Sequence, residues 1–150
     1  MPCPAMKNIF DVAKFITERT GELTAMKLQK LMYYAQAWNM VWEEEPLFAD
    51  NFHAWANGPT LPALYNHHRG MFKVDASLFQ DANSSRLTET EKGNIDKVLA
   101  FYGGKTTQYL NNLTQLEAPW IAARDSLQLH DIQPDAVIPQ SAIFEYYSSL

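Results

Sequence analysis

Apolar residues recur at helical spacing through most of the chain, and the most informative stretch is KLQKLMYYAQAW, residues 27–38. At about 100° per residue, one face of this predicted helix is apolar over its whole length. That face carries Leu28, Leu31, Met32, Ala35, Trp38 and Trp42. Tyr33, Ala37 and Met40 lie toward the other face, so the helix is apolar on more than one side. Such a helix is either central in a bundle or buries a second face against a partner.

Capping residues mark where the predicted helices begin, because Ser, Thr, Asn and Asp side chains accept hydrogen bonds from the free N–H groups of a first turn. The candidate N-caps are Asn8, Thr24, Thr60, Thr88 and Thr106. Thr88 and Glu91 have capping-box spacing, and Pro119 suits the first turn of another helix. With a last helix around Ile143 and Tyr147, the pattern predicts six or seven helices.

Three stretches are predicted to be non-helical. The segment around Trp55 is expected to be extended, to turn at Gly58-Pro59 and then to begin a helix. A residue before proline avoids helical geometry, so Gly58 should not be helical. Phe72 and Val74 alternate with polar residues, which is compatible with a short strand. DIQPDAVIPQ, residues 131–140, is predicted to be a linker.

The fold class that follows is mainly α, in a compact bundle with at most a short β element. A length of 150 residues predicts one domain. We place a flexible N-terminus at residues 1–7 and the domain at residues 8–150. A start without a signal-peptide pattern, a single cysteine and no long apolar run predict a cytoplasmic protein without a membrane partner. The net charge of −5 argues against nucleic acid as the primary partner.

No residue pattern specifies a reaction. The four histidines lack the spacing of a zinc site, there is no GxSxG elbow, and GGKTT at residues 103–107 lacks the glycine spacing of a phosphate loop. We therefore expect no metal, no cofactor and no catalytic residue.

One charge run and the tryptophans are candidate contact features. Glu43, Glu44 and Glu45 follow one another where the long helix should end, and the helix dipole disfavours negative charge there. The run is either a solvated helix end or an acidic patch for a basic partner. The four tryptophans are mostly core candidates, although tryptophan is also favoured as an interface anchor. They are Trp38, Trp42, Trp55 and Trp120.

Three stretches together resemble the signatures of the Panacea domain, a family that includes SocA-like antitoxins and phage-associated proteins. They are KLQKLMYYAQAW (27–38), AWANGPTLPALY (54–65) and TQLEAPWIAAR (114–124). The matching residues are Lys27, Leu28, Lys30, Leu31, Tyr33, Trp55, Gly58, Pro59, Tyr65, Glu117, Pro119, Trp120 and Arg124. The chain departs from the family pattern at Asn57, Thr60 and Gln115, where an aromatic residue, Val and His are usual.

The resemblance implies a mostly helical domain that acts by binding protein. Panacea-domain antitoxins neutralise toxins encoded beside them, whereas SocA-like members act as adaptors that present a toxin to an ATP-dependent protease. A phage-related regulator and an enzyme with an unrecognised site remain alternatives. The residues proposed for partner binding are Lys27, Lys30, Tyr33, Glu43, Glu44, Glu45, Trp55, Tyr65 and Arg124, and a structural role is expected for Leu28, Leu31, Gly58, Pro59, Pro119 and Trp120. Lys27 and Lys30 either reach a partner or lie along a covered helix.

Overall fold

The computed structural model describes residues 7–127 and 135–150, and these ranges contain seven helices and five short strands. The helices are α1 (Ile9–Thr20), α2 (Ala25–Glu43), α3 (Pro62–His68), α4 (Glu89–Tyr102), α5 (Thr107–Gln115), α6 (Ala118–Asp125) and α7 (Gln140–Ser148). The strands are β1 (Leu23–Thr24), β2 (Phe52–Trp55), β3 (Gly58–Thr60), β4 (Lys73–Val74) and β5 (Val137–Ile138). Two 3₁₀ turns, Ala76–Phe79 and Ser84–Arg86, precede α4. The predicted mainly α class is confirmed.

Helix α2 lies at the centre of the bundle, in contact with α1, α4, α5, α7 and β3. Every residue from Leu28 to Ala37 is buried, and Met40 is only 4% exposed. The prediction that Leu31 is a core residue is confirmed, since none of its surface is exposed. From Leu28 to Ala37, both apolar faces of α2 are therefore covered by the protein's own helices and strands.

The local capping signals predict four helix starts correctly. Asn8 caps α1 and exchanges hydrogen bonds with Asp11 in a capping box, and Thr88 does the same with Glu91 at the start of α4. Thr24 and Thr106 cap α2 and α5 through their hydroxyl oxygens. Each cap satisfies backbone donors that the first helical turn leaves free.

The predicted cap at Thr60 is wrong. Thr60 belongs to β3, and the residue before α3 is Leu61, whose side chain makes no capping bond. The Leu61 N–H instead donates to Oε1 of Gln29 on α2, at 2.8 Å. The buried Gln29 side chain thus anchors the residue before α3 without capping its first turn, and spacing along the chain does not reveal this contact.

The short strands make two small antiparallel sheets, with orders β1-β4 and β3-β2-β5. Strand β4 confirms the strand predicted around Val74. Strands β2 and β3 form a hairpin in which Trp55 pairs with Gly58, so its turn is at Ala56-Asn57 rather than at Gly58-Pro59. Gly58 is non-helical as predicted.

The predicted linker at residues 131–140 is only partly correct. Residues 131–134 lie outside the described ranges, but β5 pairs with β2, with Ile138 opposite Phe52. Ile138 is fully buried, so this part of the predicted linker belongs to the core. Of the predicted flexible N-terminus only Lys7 is described, and its amine lies 2.6 Å from a carboxylate oxygen of Glu91.

The tryptophans are less buried than predicted. Trp42 is 42% exposed, because it lies in the last turn of α2, and Trp38 is partly buried against the core. Trp55 and Trp120 are also half-buried. Within the described ranges, no helix has both the length and the apolar character needed to cross a membrane.

Candidate functional site

The three sequence motifs meet at one point, formed by Lys30 of α2, Gly58 of β3 and Thr114 of α5, which we call the motif junction. A Cβ atom placed on Gly58 would lie 2.7 Å from Cε of Lys30 and 2.7 Å from Oγ1 of Thr114. Gly58 also has a φ of +118°, which L side chains rarely adopt. The position therefore requires glycine both for its backbone conformation and for the close approach of two side chains.

The third motif holds the β2–β3 hairpin by its backbone. The Trp120 indole N–H donates to the Trp55 carbonyl at 2.8 Å, and the Arg124 guanidinium donates to the Ala54 carbonyl at 3.1 Å. The Gln115 amide donates to the Ala56 carbonyl at 3.2 Å. Three side chains from α5 and α6 thus fix three consecutive carbonyls of the hairpin.

Aromatic contacts continue from the hairpin to α3. The rings of Trp55 and Tyr65 meet edge to face at 5.1 Å, and Tyr65 meets His68 in the same way at 5.5 Å. Nε2 of His68 lies 3.0 Å from Nε2 of Gln29. Burial lowers the pKa of His68, with a smaller contribution from the charge of Lys30. The neutral imidazole is therefore favoured at this buried position.

Lys30 is fully buried, and among the described residues its Nζ atom has no hydrogen-bond partner. Burial lowers its pKa from 10.5 to about 7. A neutral lysine amine has the chemistry of a nucleophile or base. However, no part of Lys30 reaches the surface in this conformation, so the arrangement gives a substrate no access to it.

Of the two alternatives for Lys30, a position covered by the fold is the one observed, and Tyr33, which was proposed for partner binding, is buried as well. The hairpin and α5 cover Lys30, and the rings of Phe52 and Tyr147 pack on Tyr33 at 5.2 and 6.0 Å. Lys27 is half-buried, and its amine donates to the Gly103 carbonyl at 2.6 Å, just past the end of α4. A cation at a helix C-terminus is stabilising, so Lys27 has a structural role in the fold.

A second buried polar cluster is centred on Glu117. The hydroxyls of Tyr34 and Tyr147 donate to its Oε1 atom at 2.6 and 2.8 Å, and Tyr34 stacks on Tyr102 with ring centroids 4.0 Å apart. Burial raises the pKa of Glu117, although both tyrosine hydrogen bonds favour its ionised form. This cluster joins α2, α6 and α7 through polar contacts inside the core.

The acidic run lies apart from the motif junction. Glu43 lies thirteen positions after Lys30 in α2, which is about 20 Å along a helix. Glu43, Glu44 and Glu45 are all exposed. The backbone of the run is fixed, because Glu44 donates to the Met40 carbonyl and Glu45 accepts from the Asn39 side chain, each at 2.8 Å.

The structure thus divides the predicted partner-binding residues into three groups. Trp55, Tyr65 and Arg124 are half-buried around the hairpin, the three glutamates are exposed at the end of α2, and Lys27, Lys30 and Tyr33 are wholly or partly covered. Contact of any of them with a partner stays a prediction.

The sequence reading missed the roles of Gln29, Tyr34, Thr114 and Tyr147. For Gln29 the sequence did contain a signal. Gln29 is polar within a helix that is apolar on more than one side, and such a residue must find its hydrogen bonds inside the core.

Three positions depart from the family pattern. Asn57 is exposed in the hairpin turn, Thr60 is buried with its hydroxyl donating to the Gly58 carbonyl, and Gln115 bonds the hairpin. Among the described residues, no group of three or more His, Cys, Asp and Glu side chains could hold a metal ion, and the expected absence of a metal stays a prediction.

Comparison with known proteins identifies the family. No curated protein and no solved structure matches the chain. The family model described as "Antitoxin SocA-like, Panacea domain" matches residues 28–121, which is more than half of the chain. This range contains the core of α2, the hairpin and the residues of the motif junction. The chain therefore belongs to the SocA-like, Panacea-domain antitoxin family.

Proposed function

We propose that this protein is an antitoxin that neutralises a protein toxin encoded beside it, by direct and stoichiometric binding. The observation that carries the proposal is the family match over residues 28–121, which includes the motif junction. An antitoxin family implies a toxin as partner in general. Direct binding, in place of turnover or delivery for degradation, is our own inference.

The burial of the motif residues supports a binding role on other surfaces. Lys30, Gly58 and Thr114 are buried against one another, and Trp120 and Arg124 hold the hairpin backbone. These residues maintain the scaffold. Recognition of a particular toxin then falls to exposed residues, which can differ between proteins that share the scaffold.

The acidic run is a charged feature of that exposed surface. Three glutamates follow one another on a fixed backbone, in a chain whose net charge is −5. Complementary fields accelerate encounter with a basic partner and disfavour acidic ones. We therefore place part of the toxin contact at Glu43–Glu45.

The test is co-expression with the neighbouring gene, read by growth and by pull-down. The neighbour should be toxic alone and harmless with this protein, and the two should co-purify. A toxic neighbour that is neither rescued nor bound would overturn the proposal, as would a neighbour that is harmless alone.

Toxin abundance and stoichiometry distinguish the mechanisms. Direct binding predicts that the toxin persists during rescue and that inhibition in vitro is complete near a 1:1 molar ratio. Toxin that disappears only when an ATP-dependent protease is present would show an adaptor. Inactivation of many toxin molecules by one antitoxin molecule would show an enzyme.

A further inference from the structure

An apolar groove of about 510 Å³ lies between the end of α2 and α4, and one of its walls is Trp42, the residue before the acidic run. Its lining includes Trp42, Val98, Phe101 and Leu150, with Lys97 at its edge. Trp42 is 42% exposed and Phe101 is 68% exposed. Large apolar side chains that are exposed together in one patch are typical of a site that binds a protein or another ligand.

The walls of the groove are held in place by contacts within the protein. Trp42 packs on Trp38 with ring centroids 5.7 Å apart, and Phe101 meets Tyr102 edge to face at 4.7 Å. The Trp38 indole N–H donates to the Tyr102 hydroxyl at 3.0 Å. A preformed aromatic groove loses little side-chain entropy on binding, which favours affinity.

The chemistry of the groove selects a protein segment over a small molecule. Small-molecule sites combine apolar walls with several polar groups that converge on the ligand. Here the Tyr102 hydroxyl already accepts from Trp38, and the Lys97 amine lies over the Trp42 ring at 5.3 Å. An apolar helix face needs no further polar partner in such a groove.

Charge then specifies the partner. Trp42 is followed directly by Glu43, which is held toward α4 by a 2.9 Å bond from the Asn94 amide. Glu44 and Glu45 come next and line a neighbouring cleft beside α7. We infer that this groove and the acidic run together bind an amphipathic helix of the toxin, whose apolar face enters the groove and whose Lys or Arg residues meet the glutamates. This inference rests on the proposed function and names the surface that performs it.

A second copy of this chain suits the surface less well. In a symmetric dimer the same patch of each subunit faces its partner. Such a dimer would bring two acidic runs to one interface, where like charges disfavour association.

The test compares Phe101→Glu with Phe72→Glu in binding to the purified product of the neighbouring gene. Phe72 is 76% exposed and lies beside β4, outside the groove, so it is a matched control for adding a charge at an exposed phenylalanine. We expect Phe101→Glu to raise Kd at least tenfold and to abolish growth rescue, with circular dichroism unchanged. Phe72→Glu should leave both unchanged.

Charge reversal and peptides test the identity of the occupant. Glu43→Lys with Glu44→Lys should weaken binding, and binding by the wild type should weaken as salt is raised. Among overlapping synthetic peptides of the toxin, the one that binds should be helical and basic and should alter tryptophan fluorescence.

The outcomes distinguish failure of the proposed function from failure of the groove assignment. Wild-type protein that neither binds nor rescues would overturn the proposed function and the groove assignment together. Unchanged toxin binding by Phe101→Glu would overturn the groove assignment alone. A wild-type dimer that Phe101→Glu converts to a monomer would show that a second copy occupies the groove.

Discussion

Replacing Lys30 by methionine should stabilise the protein at neutral pH, although Lys30 is one of the residues that carry the family resemblance. Methionine keeps an unbranched apolar chain of similar length and removes the amine. The amine is fully buried and has no hydrogen-bond partner among the described residues. The substitution therefore removes the desolvation cost of a polar group and gives up no hydrogen bond.

The size of the effect follows from the pKa of Lys30, which burial lowers from 10.5 to about 7. One pKa unit corresponds to 1.36 kcal/mol, so the cost of folding a lysine that is protonated in the unfolded chain is at most roughly 4–5 kcal/mol. Structural relaxation and water penetration reduce such costs. We expect Lys30→Met to raise the free energy of unfolding by about 1–4 kcal/mol at pH 7.

The effect depends on pH with a definite sign. Between about pH 7 and pH 10.5 the unfolded state binds a proton that the folded state lacks, so raising the pH stabilises the wild type through this group. The variant has no such group. Its advantage should therefore be full near pH 7 and should shrink by up to about 1.4 kcal/mol for each pH unit above that.

Urea unfolding of both proteins at pH 7, 8.5 and 10 measures this difference. Lys27→Met is the control, since Lys27 is half-buried and its amine donates to the Gly103 carbonyl. A stability difference between Lys30→Met and the wild type that stays constant from pH 7 to pH 10 would refute the reasoning. So would a variant that is less stable than the wild type at pH 7.

Four other predictions can be measured on the purified protein. Leu31→Ala should lower the free energy of unfolding by roughly 2–5 kcal/mol in urea titrations, because it leaves a cavity in the fully buried face of α2; a loss below 1 kcal/mol would contradict this. Gly58→Ala should cost more than Gly70→Ala in thermal unfolding, since both glycines have positive φ but only Gly58 has neighbours within 4 Å of the added Cβ; equal losses would show that steric contact is irrelevant. Burial raises the pKa of Glu117, so its contribution to stability is full below the unfolded pKa near 4.5 and is lost as pH rises through the folded pKa. Glu117→Gln should therefore gain in stability relative to the wild type as pH rises from 4.5, and a difference independent of pH would count against this. Dialysis against a chelator should leave the thermal unfolding midpoint unchanged, and stoichiometric metal in the untreated protein together with unfolding by chelator would refute that expectation.

Local signals predicted much of this fold because their physics is local. The capping boxes at Asn8 and Thr88 join residues three apart, so the sequence contains both partners. The bond that anchors the residue before α3 comes from Gln29, 32 positions before Leu61, and no local pattern reveals it. The same holds for β5, since its partner strand β2 lies more than 80 residues earlier.

The candidate site was harder to predict than the fold. An apolar second face on α2 is equally consistent with burial by a partner and with burial by the same chain. The structure shows burial by the same chain, because the hairpin covers Lys30 and α7 covers Tyr33. Periodicity placed Trp42 with the core residues because it shows which face of α2 a residue lies on. It does not show how far along α2 the neighbouring helices extend. The groove lies at the end of α2, where this cover is incomplete and Trp42 is exposed.

The attachment of the β2–β3 hairpin has a consequence for how this family can diversify. Gln115, Trp120 and Arg124 all bond to main-chain carbonyls, and every residue type offers the same carbonyl. The side chains at the hairpin tip, Ala56 and Asn57, are exposed and take no part in the attachment. Substitutions at the tip therefore leave the hydrogen bonds that attach the hairpin intact. The hairpin is thus a position where proteins with the same fold can differ in surface chemistry.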